Sequence, residues 1–327
     1  MTAIACRFLL CALLWAAALP GVAQPAKKMA RIGYLAAVSA TADAPRLAAF
    51  RQGLRELGYV EGQNIQIDYR HESLDLQRLP EHAAELARMN VDVLVAVTSN
   101  AAVAAKKTTS TVPIVFMGVT DPIATGLAES LARPGGNATG VTNVAAILAG
   151  KRLELLKEVL PKAARVAVLW DPNAPGSIPQ WQASQEPAEK LHLQLHSMQV
   201  SNVEEYAAAF KDAAKARSHA VWVTLNPVSN SNQKLIAELA ISSGLPSICA
   251  RTDYAENGCL MAYGPGYQTE GSDGARYVDR ILKGAKPAEL PIQQPTKFEL
   301  VINLKTASRM GVAVPQSVLD RADKLVQ

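Results

Sequence analysis

Residues 117–141 read MGVTDPIATGLAESLARPGGNATGV. This stretch decides the fold. Its first residues close an apolar run, PIVFMGV (113–119), which reads as a buried strand ending in polar Thr120 and Asp121. Pro122 suits the first position of a helix, with Asp121 as its cap. The glycine-rich RPGGN (133–137) then turns the chain into another strand, NATGVTN (137–143). Strand, polar strand end, helix and tight turn are the grammar of an open α/β sheet, whose strand ends form a ligand crevice.

The same rhythm runs outward in both directions. Upstream, RIGYLAA (31–37), NIQIDYR (64–70) and VDVLVAV (91–97) read as strands. Between them lie helical segments at 44–58, with Leu47, Phe50, Leu54 and Leu57 on one face, and at 76–89. Another helix starts near Ser99. Downstream, helix 147–161 leads to strands 165–170, 193–200, 219–225, 245–249 and 259–264, separated by helices at 179–191, 202–216 and 231–244. Such alternation implies parallel sheets with right-handed crossovers. The chain of 327 residues exceeds one ordinary core. The expected fold is therefore α/β, with two doubly wound, Rossmann-like parallel-sheet lobes joined by a hinge near 142–146. The tail adds a helix at 272–284, a proline-rich link and a strand at 297–304.

Residues 1–23 read as a cleavable secretory leader: Arg7, an apolar run from Phe8 to Leu19, and a small-residue exit at Ala23. No Leu-x-Gly-Cys pattern marks a lipoprotein. Removing the leader takes one of 33 basic residues and none of 29 acidic ones, leaving 32 − 29 = +3. That mild, mixed charge excludes nucleic acid as a partner. The mature chain keeps Cys249 and Cys259. An oxidising compartment permits a bridge between them. However, the end of one parallel strand and the start of the next sit at opposite sheet edges, so two buried thiols are expected.

Catalytic groups are missing. There is no G-x-S-x-G elbow, no P-loop around Lys151 and no dinucleotide fingerprint at 264–266. His192 and His196 have helical metal spacing, but they lie in an alternating strand with no carboxylate between them. The chain is expected to be no enzyme, with no cofactor and no metal. In an open α/β sheet the ligand lies beyond the strand ends. These offer Ser39, Thr98, Ser99, Asn100, Thr120, Asp121, Thr142, Asn143, Asp171, Asn173, Asn226, Arg251 and Asp253, with Trp170, Tyr254 and Tyr263 near enough to flank an apolar ligand part. Ser99 and Asp121 read equally as helix caps.

Specific stretches bring a family into view: FRQGLRELGYVEGQNIQIDYR, TVPIVFMGVTDPIATGL, LARPGGNATGV, VAVLWDPNAP and YVDRILKGAKPAELPIQQPTKFELVINLKTASRMGVAVPQSVL. With these the chain resembles the periplasmic solute-binding proteins of ABC transporters, in the branch that includes tryptophan and other aromatic amino-acid binders. The resemblance implies a type I periplasmic-binding-protein architecture. It implies a first lobe of 24–142 plus about 265–290, and a second of 143–264 plus about 291–327. It also implies a soluble periplasmic monomer that closes on a small polar ligand and docks an inner-membrane ABC permease. A ligand sensor for a membrane receptor would have the same fold. In the resulting expectation Ser99 and Asn100 hold a carboxylate, Asp121 or Asp253 pairs with an ammonium, and Tyr254 or Trp170 covers the side chain.

Overall fold

The computed structural model describes residues 29–73 and 75–327; the leader, with Cys6 and Cys11, lies outside them. The first half of the chain builds β1 (Ala30–Ala36), α1 (Ala40–Glu56), β2 (Ile65–His71), α2 (Leu79–Arg88), β3 (Val93–Val97), α3 (Thr98–Thr108), β4 (Ile114–Val119) and β5 (Ala138–Thr142). Their sheet has the order β2-β1-β3-β4-β5, and every pairing is parallel. β3, VLVAV, is buried along its whole length, which is why it reads as an unbroken apolar run.

The second half repeats the pattern with α4 (Ala149–Val159), β6 (Arg165–Trp170), α5 (Ile178–Lys190), β7 (Gln194–Gln199), α6 (Tyr206–Lys215), β8 (Ala220–Val223), α7 (Pro227–Ser231), α8 (Gln233–Ser242), β9 (Ser247–Cys249), α9 (Asp253–Glu256) and β10 (Met261–Gly264). Its sheet runs β7-β6-β8-β9-β10, the order of the first sheet over again. The fold class is therefore two doubly wound lobes of one topology. The chain then adds α10 (Tyr267–Leu282), β11 (Glu299–Asn303), α11 (Leu304–Met310), α12 (Gln316–Leu319) and β12 (Lys324–Val326). β11 joins β10 antiparallel, and β12 extends that edge.

The helix α10 does not stay with the second sheet. It packs lengthwise on α1 and places Ala275, Tyr277, Val278 and Ile281 in one core with Ile32, Tyr34 and Phe50. Small residues allow the approach: a Cβ on Gly271 would lie 2.8 Å from the backbone nitrogen of Phe50. Gln293 still bridges to Val141 of β5, so the chain returns to the second sheet only after it. Three strands of chain thus connect the lobes. Buried Arg152 of α4 ties two of them to β9. It donates to the carbonyls of Ala145 (2.6 Å), Tyr263 (2.8 Å) and Ala250 (3.2 Å).

Two readings from the sequence change. Residues 122–126 form turns instead of a helix. The Asp121 carboxylate accepts the amides of Ile123 (3.0 Å) and Ala124 (2.9 Å), and Gly126 at φ +72° reverses the chain before a helical turn can propagate. On α1 the buried side is Asp43, Arg46, Phe50, Gly53 and Leu54, whereas Leu57 is exposed. The apolar face is thus shared with an ion pair.

Candidate functional site

The carboxyl ends of the two sheets face each other across a small cavity. β3 runs into α3, bringing Thr98, Ser99 and Asn100 to its wall; β4 brings Gly118 and Thr120. From the other lobe come Gly176, the Leu225–Pro227 corner after β8, Asn230 of α7 and Arg251 after β9. Asn143, on the first connection, completes the ring with Arg46 of α1 and Glu270 of α10. Apart from half-buried Asn100, its polar side chains, from Arg46 and Thr98 to Arg251 and Glu270, are each 9/10 or more buried.

The cavity volume is about 20 Å³, room for about one water. The lobes meet closely around it. At Gly176 a Cβ would fall 2.7 Å from Ser99 Oγ and 3.0 Å from Thr120 Oγ1, both on the opposite lobe. Ser39 N–H also donates across the cleft to Ser231 Oγ (3.2 Å). Wider grooves continue from the cavity on both sides. One, of about 800 Å³, shares Asn100 and has an apolar wall that includes Leu76, Leu79, Val103 and Val228. The other shares Asn230 and is lined by Ser39 and Asp253.

The charged part of the site is a buried chain. Arg46 donates to Glu270 (3.0 Å) and to Asp43 (2.8 Å). Tyr34 Oη donates to Asp43 (2.8 Å), and His71 Nε2 lies 3.2 Å from the same carboxylate. Burial alone would push the Asp43 carboxyl up, but the hydrogen bonds from His71 and Tyr34 and the Arg46 charge hold it below the ordinary carboxylate range. Gly118 makes room for this arrangement. It sits in a β-bulge at φ +71°, where a Cβ would lie 3.1 Å from Glu270 Oε2. On the facing lobe Arg251 is held bidentate by Asp253 (2.6 and 3.0 Å), with its guanidinium carbon 5.5 Å above the Tyr254 ring. Such pairing presents each arginine in one orientation.

Thr98 is the strained member. A β-branched residue at φ +81° is a backbone outlier, and its buried Oγ1 has no hydrogen-bond partner among the described residues. A buried hydroxyl in that condition costs free energy until something in the cavity accepts or donates to it.

Of the residues read from the strand ends, the cavity gathers Thr98, Ser99, Asn100, Thr120, Asn143, Asn226 and Arg251. Ser99 is not a cap; its Oγ accepts the Thr120 amide (3.2 Å). Asn226 is both wall and cap, accepting the Ser229 amide (2.8 Å). The other strand-end residues and the three aromatics, Trp170, Tyr254 and Tyr263, do not line the cavity. Asp121 is spent on its own turn, and Thr142 is buried in β5. Asp171 and Asn173 line the larger groove, where Asp171 Oδ1 accepts from Ser201 Oγ (2.7 Å) and the Asn173 amide. Ser39 and Asp253 line the other. Trp170 points away, stacked on Trp181 at 5.3 Å and bonded to Ser197. Tyr254 is fully buried, its hydroxyl 3.0 Å from Ser229 Oγ and 2.9 Å from Asn230 Oδ1; burial pushes its phenol up, so it stays a donor. Among the described residues no aromatic side chain lines the cavity or the larger groove.

Strand-end reasoning missed Arg46, Glu270 and Asn230, but it reached Arg251 as a residue beyond the strand at 245–249. Arg46 carried a signal, because positions 43, 46 and 50 share one helical face and two of them are charged. Glu270 carried none, since only the return of α10 to the first lobe brings it in.

A family model described as ABC transporter substrate binding protein matches residues 31–326. A tyrosine-binding protein of Clostridioides difficile is 25% identical over 290 residues, 88% of this chain and 82% of that protein. A conserved domain protein of Vibrio cholerae superposes with TM-score 0.87 at 28% identity, covering 91% of this chain and 100% of the other. A Streptococcus pneumoniae domain in complex with L-Trp gives 0.85 at 27% identity, covering 91% and 99%.

Proposed function

The chain belongs to the ABC transporter substrate-binding protein family, and from that membership we propose that it is the exported, extracytoplasmic binding component of an importer. It captures a small zwitterion, an amino acid, between its lobes and presents it to an inner-membrane permease. The first lobe comprises 24–142 with about 265–290, and the second 143–264 with about 291–327. The packing of α10 on α1 supports that division.

One observation carries the reading. The unpartnered Thr98 hydroxyl, two fixed arginines and a buried glutamate converge on one cavity between lobes that touch at Gly176. Arg251 and Arg46 supply donors for a carboxylate, and Glu270 an acceptor for an ammonium. Thr98, Ser99, Thr120, Asn143, Asn226 and Asn230 supply neutral hydrogen bonds. Room for about one water means that entry requires the lobes to part, so binding is a shift between open and closed populations. The relatives that bind tyrosine and tryptophan favour an aromatic ligand. In this chain its head group occupies the cavity and its side chain extends past Asn100 against Leu76, Leu79, Val103 and Val228.

The test is thermal unfolding of the purified protein against a panel of L-amino acids that includes tyrosine and tryptophan. A binder at 100 times its Kd adds about 2.7 kcal/mol of stability. Thr98→Val, which keeps the branched shape and deletes the hydroxyl, weakens the response roughly 5- to 10-fold, one hydrogen bond of about 1–1.5 kcal/mol. No shift with any amino acid refutes the reading.

A further inference from the structure

Cys249 ends β9 and Cys259 shortly precedes β10, which seemed to set them at opposite sheet edges. The strands are too short for that separation to matter. β9 has three residues, and the return through α9 folds tightly, with Cys259 N–H donating to the Tyr254 carbonyl (2.9 Å) and Leu260 N–H to Ser247 Oγ (3.0 Å). Both sulfurs are fully buried and face each other at 2.6 Å. Unbonded heavy atoms rest at about 3.5–4.0 Å. The loop between them carries Arg251, which lines the cavity, with Asp253 and Tyr254, which position it.

We propose that in the exported protein Cys249 and Cys259 are joined as a disulfide that closes the 249–259 loop and fixes Arg251 at the cavity wall. The proposal rests on the export reading above, because such bonds persist in oxidising compartments. Two thiols give up two protons and two electrons. The acceptor is a disulfide-bearing thiol oxidant of that compartment, which leaves as a dithiol after exchange through a mixed disulfide. Burial, with Cys259 beside it, pushes the Cys249 thiol up, so the attacking thiolate forms while the chain is still folding. Once closed, the bridge is shielded from further exchange.

The full chain with its own leader is expressed in a bacterium with a periplasm, recovered, blocked with iodoacetamide in denaturant without reductant, and digested with trypsin. Cleavage follows Lys234, Arg251 and Arg276, so a bridge appears as peptide 235–251 joined to 252–276. In parallel, full chain made in a reducing cytosol is unfolded and refolded in a glutathione redox buffer. The joined peptides are expected in both samples, together with a melting temperature that falls by roughly 5–10 °C on reduction. Separate, alkylated peptides in either recovered sample overturn the proposal. If the chain is retained in the cytosol, the export reading fails by itself, and the refolded sample decides whether the bridge forms.

Discussion

Gly176 keeps an ordinary backbone conformation, so its lack of a side chain serves space alone. A Cβ there would lie 2.7 Å from Ser99 Oγ and 3.2 Å from Ser99 Cβ. In Gly176→Ala the Ser99 hydroxyl has to rotate away, and the Thr120 amide that it accepts is left unpaired in the closed form. That penalty is about 1–2 kcal/mol, paid only on closure. Apparent affinity falls with the population of the competent state, so Kd rises roughly 5- to 30-fold. Gly176→Leu adds three further carbons beside a cavity of about 20 Å³ and excludes closure, raising Kd more than about 100-fold. Neither change touches the core of either lobe, so the unliganded melting temperature stays within a few degrees. The assay is calorimetric titration with the amino acid that stabilises the wild type most, alongside small-angle scattering for ligand-induced compaction. A leucine variant that binds and compacts like the wild type would sink the argument that the lobes meet at this residue.

Three further outcomes follow from the site. Glu270→Gln removes the acceptor for an ammonium while Arg46 keeps Asp43; a charge-assisted bond of about 1.5–3 kcal/mol corresponds to roughly 10- to 150-fold weaker binding of an amino acid, and its desamino analogue should lose far less. Asp43 titrates below its unfolded value, so its contribution to stability is complete above about pH 4 and is lost as pH falls through the lower folded value. Urea midpoints of the wild type should therefore drop as pH falls below about 4, and Asp43→Asn should flatten that slope. Trp170→Phe loses the bond to Ser197 and part of the Trp181 stack, costing about 1–2 kcal/mol of stability. Its ligand affinity should stay within about twofold; a large loss would put Trp170 back at the ligand.

The lobes and their sheets were legible because buried parallel strands such as 93–97 and 114–119 are continuous apolar runs, whose polar continuations mark the crevice. Hence Thr98, Ser99, Asn100, Thr120, Asn143 and Asn226 could be named from sequence. The aromatic residues were misplaced because adjacency along the chain does not fix the face of a strand. Trp170 and Asp171 are neighbours, yet the indole turns to the α5 side. The charged half of the site was hidden for another reason. Arg46 and Glu270 come from a helix face and from a helix that changes lobes, and local patterning says nothing of how those meet; only Arg251, just beyond a strand end, could be read there. The turn at 122–126 was missed because the Asp121 carboxylate stabilises an Asx turn as readily as a helix start.

The return of α10 to the first lobe also governs when that lobe can be completed. Ile32, Tyr34 and Phe50 complete their core with Ala275, Val278, Ile281 and Leu290, more than two hundred residues later. A ribosome must therefore finish most of the chain before this face of the first sheet is covered, whereas the opposite face, with Leu35, Leu86, Leu94 and Phe116, is packed almost entirely by residues 35–138. Contacts of such sequence separation are slow to form. Until they do, one face of the first sheet stays apolar and uncovered, the kind of surface that exposes a folding intermediate to aggregation.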